Sequence, residues 1–115
     1  MAEFIMEGGA GMKLEVFEDK VIINTLGLFS KKVKNSKTIP YTSIIAIDFK
    51  KPASENSSGY IKFRLLGGGE GYLGLINLFV GSEGNVSEFT FIGQIELAEK
   101  IKNYIEKQVI AKQKH

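Results

Sequence analysis

The 115-residue chain has 43% hydrophobic residues, 24% charged residues and a formal net charge of +2, a balance that fits one globular domain and excludes a disordered chain. With no cysteine, it can form no disulfide, no thiolate nucleophile and no Cys-based zinc or iron–sulfur site. So small a net charge gives no reason to expect a nucleic-acid partner, although a pI near 8.8 leaves contact with an anionic surface open.

The first residues, Met1 to Glu7, have no basic segment and an apolar run of only Phe4, Ile5 and Met6, far short of a signal peptide. Residues 1–11 read as a leader or an added edge segment. The second reading has a physical motive, because adjacent apolar side chains are not usually left in water. Residues 12–112 are expected to form the domain, and residues 113–115 a disordered tail.

Met12 to Phe17 alternates apolar residues with Lys13 and Glu15, the period of a half-buried strand. Glu18-Asp19-Lys20 is a tight turn into Val21 to Thr25, which completes a hairpin. Leu28 to Lys37 reads as a basic, turn-prone connection, in which Leu28 and Phe29 could extend the second strand. Lys37 to Tyr41 is a short strand, and Pro40, which cannot donate to a ladder, places it at an edge or a strand end.

Ile45, Ile47 and Phe49 alternate with Ala46, Asp48 and Lys50, which predicts a strand with those three residues on its core face. Pro52 to Gly59 is a polar loop. Ile61, Phe63 and Leu65 then alternate with Lys62 and Arg64 as a clean amphipathic strand. After the loop Gly67 to Gly71, Tyr72 to Val80 is a strand apolar on both faces, too short at Leu73 to Val80 to span a bilayer. Val86 to Phe91 follows, with Phe89 and Phe91 on one side.

Gln94 to Lys112 closes the chain as an amphipathic helix, its stripe formed by Leu97, Ala98, Ile101, Tyr104, Ile105 and Val109. Short connections imply antiparallel pairing, because a parallel crossover needs a dozen or more residues. The expected fold is mainly β: a barrel of about seven antiparallel strands in two packed sheets, closed at one end by this helix. Leu97, Ile101, Ile105 and Tyr104 point inward in this arrangement.

That order of elements resembles the pleckstrin-homology (PH) superfold. More narrowly, Gly11 to Ile23, Lys37 to Ile44 and Gly59 to Phe63 resemble the bacterial PH-like domains of unknown function. The resemblance covers about residues 11–110 and implies a non-enzymatic scaffold. Many such domains carry a further short oligomerisation domain, which is not expected in a sequence ending at His115. Eukaryotic lipid-binding PH domains resemble one another in a Lys and Arg cluster between their first two strands. Here Glu18-Asp19-Lys20 is expected at that place, and its carboxylates would repel a phosphorylated headgroup.

No catalytic constellation is legible. His115 is the only histidine and the last residue. Glu18 and Asp19 are too few oxygen ligands for a calcium or magnesium site and read as a solvated turn. Gly67-Gly68-Gly69-Glu70-Gly71 lacks the Lys-Ser/Thr that follows a phosphate-cradling loop and reads as a hairpin connection. No enzyme activity, metal, cofactor or small-molecule substrate is therefore expected.

Two groups remain. Lys31, Lys32, Lys34 and Lys37 could contact a phospholipid surface or another anion, or form a solvated loop; no Arg or stacking aromatic is interleaved, which speaks against nucleic acid. Leu73, Leu75 and Phe79 leave an apolar strand face that needs covering, either from within the chain or by a protein partner, which could be a second copy. The expected function is a cytoplasmic binding or assembly module acting through protein–protein contacts, with a membrane-surface or anionic-ligand adaptor using residues 31–37 as the alternative. The fold reading makes a first prediction. Replacing Ile101 by Asp should abolish the cooperative thermal transition seen by circular dichroism, since a carboxylate would displace a core side chain whose burial contributes roughly 1.5–3 kcal/mol.

Overall fold

A computed structural model describes residues 1–27, 32–66 and 86–113. The expected strand 72–80 lies outside the described residues, with Leu73, Leu75 and Phe79, and so do Leu28, Phe29, Lys31 and His115. Seven strands are described: β1 (Phe4–Glu7), β2 (Met12–Val16), β3 (Lys20–Leu26), β4 (Val33–Pro40), β5 (Ile44–Lys50), β6 (Ser58–Leu65) and β7 (Val86–Ile92). A single α-helix, α1 (Ile95–Gln113), ends the described chain. Among the described residues, no helix is long and apolar enough to cross a membrane.

The strands make two antiparallel sheets, one of four strands in the order β1-β2-β3-β4 and one of three in the order β5-β6-β7. Sequence alternation decides which face of each goes inside. In the first sheet, Leu14 pairs with Ile23, Val16 with Val21, and Val21 with Ile39, and all five are buried. In the second, Ile61 pairs with Phe89 and Phe63 with Ser87, and the buried rings of Phe89 and Phe91 lie stacked at 6.4 Å. The inner faces of both sheets and Ala98, Ile101 and Ile105 of α1 share one core.

Several expectations change at this level. The two sheets are not closed into a barrel: no backbone ladder joins them among the described residues. A 3-10 turn at Tyr41–Ser43 carries the chain from β4 to the other layer. Phe4–Glu7 is an edge strand paired with β2. The expected basic connection is strand from Val33 onward, paired with β3 through Thr25–Asn35, Asn24–Ser36 and Ile23–Lys37. Its polar composition is weak in local strand propensity, but pairing with the apolar β3 overrides that preference. Pro40 ends this strand at the sheet margin, where its missing donor is harmless.

On β5 the register shifts between Ile44 and Ala46. The shift turns Ile44 inward, while Ile47 and Phe49 remain partly buried and Ile45 is left 49% exposed. An irregularity of this kind interrupts the simple alternation that predicted Ile45 in the core. On α1, Leu97 and Tyr104 are only partly buried, whereas Ala98 is fully enclosed. Tyr104 meets Phe4 edge to face at 5.4 Å.

The start of α1 is set by backbone conformations that few side chains tolerate. Gly93 and Gln94 both have positive φ, 60° and 50°. A Cβ at position 93 would sit 2.4 Å from the Glu55 carbonyl oxygen, so glycine is required by both conformation and space. The Gln94 backbone N–H donates to Glu55 Oε1 at 2.9 Å, and its side-chain amide donates to the Glu7 carbonyl at 2.9 Å. These bonds tie the helix to the 52–57 loop and to β1.

Tyr41 joins all the layers. Its backbone N–H donates to the Asp19 carbonyl at 3.2 Å and its hydroxyl donates to the Phe17 carbonyl at 2.5 Å, both in the β2–β3 connection. Burial, with Tyr104 and then Asp19 adding to it, pushes its phenol well above the ordinary value. Tyr41→Phe should leave the Phe17 carbonyl without this donor and cost about 1–3 kcal/mol in urea unfolding. The folded state holds this phenol protonated beyond the unfolded value of about 10, so its contribution is intact below about pH 10 and is lost as pH rises further. The Tyr41→Phe variant should therefore show a flatter loss of stability above pH 10 than the parent chain.

Candidate functional site

Strand β5 stands at the margin of the three-stranded sheet, with β6 on one side and no ladder partner on the other among the described residues. Beside it runs the C-terminal half of α1. The helix is held where Ala98, Ile101 and Ile105 enter the core, with Lys51 and Glu99 in an ion pair of 3.3 Å across its exposed flank. Beyond Ile105 its contact thins: Val109 is partly buried, and Ile110 is 61% exposed.

Between strand and helix lies a groove of about 300 Å³, floored by residues 44–47 and walled by Glu106, Val109 and Ile110. Helix periodicity puts positions 106, 109 and 110 on one side, and the β5 register shift brings Ile45 out beside them. Apart from Glu106, which forms an ion pair with Lys102 at 3.1 Å, the lining is aliphatic or Ala. An apolar groove beside a strand margin without a ladder partner among the described residues can accept an extended chain: the margin supplies backbone donors and acceptors, and the groove accepts a side chain.

The lysine group has a different setting. Lys32 immediately precedes β4 and Lys37 lies within it, both exposed. Lys34 is on the same strand and Lys31 is outside the described residues. Lys34 and Lys37 are therefore on the last strand of their sheet and not in a loop, and Lys32 directly precedes it.

The remaining polar features are those of a solvated surface. On the outer face of the second sheet, Arg64 pairs with Asp48 at 2.8 Å and Lys62 with Glu88 at 3.9 Å, with the Lys62 ammonium 4.8 Å from the Tyr60 ring centre. Exposed pairs of this type contribute little to stability. A cleft of about 270 Å³ at the open end of the sandwich is bordered by Met12, Ile23, Asn35, Lys37 and Ser87 among others. Ser87 is 6% exposed and its hydroxyl has no hydrogen-bond partner among the described residues. No grouping of three or more His, Cys, Asp or Glu suited to a metal occurs among the described residues.

The alternation placed Ile45 in the core, and Ile110 lies off the apolar stripe of the helix. A signal was present, because Ile44-Ile45 and Val109-Ile110 are adjacent apolar pairs. Neighbours on a strand point to opposite faces, and neighbours on a helix lie about 100° apart, so one member of each pair is pushed outward. The candidate face Leu73, Leu75 and Phe79 is outside the described residues and is not part of this groove.

No protein-family model matches the chain, and no curated protein matches it either.

The groove residues and the core residues of the same elements should respond oppositely to substitution. Ile45→Asp and Ile110→Glu should each change unfolding free energy by no more than about 0.5 kcal/mol, as exposed positions do. Ile105→Ala should cost about 2–5 kcal/mol in the same urea titration.

Proposed function

We propose that this chain is a non-enzymatic protein-binding module of the PH-like type, and that its partner is an extended segment of another protein laid along β5 from Ile45 onward, on the side that has no ladder partner among the described residues. The observation that carries this reading is the groove of about 300 Å³ joining that edge to α1. Two of its isoleucines, Ile45 and Ile110, are exposed at 49% and 61%. A segment seated there would add its backbone to β5 and place an apolar side chain between Ile45 and Ile110. Glu106 at the wall favours a basic residue next to that anchor.

The PH-like part of the proposal is supported by the four-then-three strand order followed by a C-terminal helix. In that scheme β1 is the first strand, so the connection between the first two strands is Gly8–Gly11 and not Glu18–Lys20. It contains only glycine and alanine. A headgroup reading for that loop is therefore disfavoured because the loop lacks cations. Binding through β5 leaves that end of the domain unused.

Selection from a random peptide library against the purified chain tests the reading. The selected peptides should share an apolar anchor beside Lys or Arg, and their affinity should fall about tenfold or more for Ile45→Asp. Convergent peptides that bind Ile45→Asp and Ile110→Glu as well as the parent chain would place the contact elsewhere and end this proposal.

A further inference from the structure

The open end of the sandwich holds a polar group that the fold leaves unsatisfied. Ser87 of β7 stands directly opposite Phe63, and residues opposite one another in an antiparallel pair share a face. Phe63 is fully buried, so Ser87 is turned to the space between the sheets. It is 6% exposed, and its hydroxyl has no hydrogen-bond partner among the described residues. A buried hydroxyl in that state is costly unless something else supplies its bond.

The cleft of about 270 Å³ that Ser87 lines is bounded on its other side by the first sheet. There Lys37 stands opposite Ile23, and Thr25 opposite Met12. Ile23 is turned inward and buried, which puts Lys37 on the inner face of β4, exposed where the core ends. Glu88 borders the same cleft and pairs with Lys62 at 3.9 Å, not with Lys37. The cleft thus combines an apolar wall at Met12 and Ile23, a buried hydroxyl, and one charge of each sign. A simple anion or cation entering it would meet one like charge. A zwitterion answers both.

We propose that this cleft binds a free α-amino acid with an aliphatic side chain. Its carboxylate accepts from the Ser87 hydroxyl and the Lys37 ammonium, its ammonium donates to Glu88, and its side chain covers Met12 and Ile23. The volume suits so small a ligand, since pockets for drug-sized molecules run from about 300 to 1,000 Å³. A lone water could satisfy Ser87, but it would draw on neither charge and leave the apolar wall wet. This site is separate from the β5 groove, and neither proposal needs the other.

The probe is L-leucine, titrated into the full chain and followed by amide chemical shifts. Saturable shifts should fall on residues 23–25, 35–37 and 86–88, with a Kd of about 1 mM or tighter. Isoamylamine, which lacks the carboxylate, and isocaproate, which lacks the ammonium, should each bind at least about tenfold more weakly. Lys37→Met and Glu88→Gln should each weaken leucine binding about tenfold, and Ser87→Ala about fivefold. Because the Ser87 hydroxyl has no partner in the fold, Ser87→Ala should keep or raise the thermal midpoint of the ligand-free chain.

The absence of saturable shifts, or shifts confined to residues 44–47 and 106–110, would overturn the proposal. Equal binding of isocaproate or isoamylamine would overturn it as well, since one charge would then suffice. So would an unchanged affinity for leucine in Ser87→Ala, or a lowered thermal midpoint of that variant, which would assign the hydroxyl to the fold.

Discussion

The bonds from Tyr41 to the carbonyls of Asp19 and Phe17 are the constraint on which the arrangement of layers depends. Tyr41 sits where the chain leaves the four-stranded sheet, and its ring is wholly buried in the shared core. Its two donors return to the connection between β2 and β3, so the departing turn is fastened to the sheet it leaves. The opening of α1's contact surface follows from that placement, since the helix packs against this turn as well as β1 and β5. A buried phenol needs a partner for its hydroxyl, and a backbone carbonyl at a hairpin turn provides one without involving another side chain.

Two sheets that meet through packing and not through a common ladder have four margins, and these are managed differently. The margin at β1 lies next to α1, with Phe4 against Tyr104. The margin at β7 is approached closely by the β1–β2 connection: a Cβ on Gly8 would fall 2.4 Å from the Thr90 carbonyl oxygen and 2.5 Å from the Phe89 ring. Backbone therefore packs where a side chain would not fit. At β4 and β5 no such cover is present among the described residues. One of these margins is cationic and the other borders an aliphatic groove, so they present chemically distinct surfaces on one rigid scaffold.

Much of this architecture was legible in the chain. Alternation located β2, β3 and β7 to within a residue or two, β6 starts three residues before the expected Ile61, and the 3.6-residue stripe expected over Gln94 to Lys112 is α1 at Ile95–Gln113. Pro40, expected at an edge or a strand end, is the last residue of β4, the outermost strand of its sheet among the described residues. What escaped depended on partners distant in sequence. The expected strand from Lys37 begins earlier, at Val33, because β3 pairs with residues 33–36 as well, and nothing in that Lys-, Asn- and Ser-containing run signals it locally. Ile45 is outside because the register slips beside it, and a slip of one residue exchanges the faces of a strand. The groove was harder still to foresee, since it joins positions 44–47 to positions 106–110, which only the folded chain brings together.

The difference between these two margins also bears on how readily each could pair with another strand edge. A flat apolar edge pairs indiscriminately with other edges, whereas lysines make pairing conditional on the sign of the incoming strand. On β5 the protection is geometric: the register shift disrupts the regular ladder at the point where Ile45 emerges, and the neighbouring helix wall restricts the approach. Bulged edges are poor templates for a second regular edge, yet they can accept a segment shaped to the irregularity. Electrostatics thus guards one margin and shape guards the other.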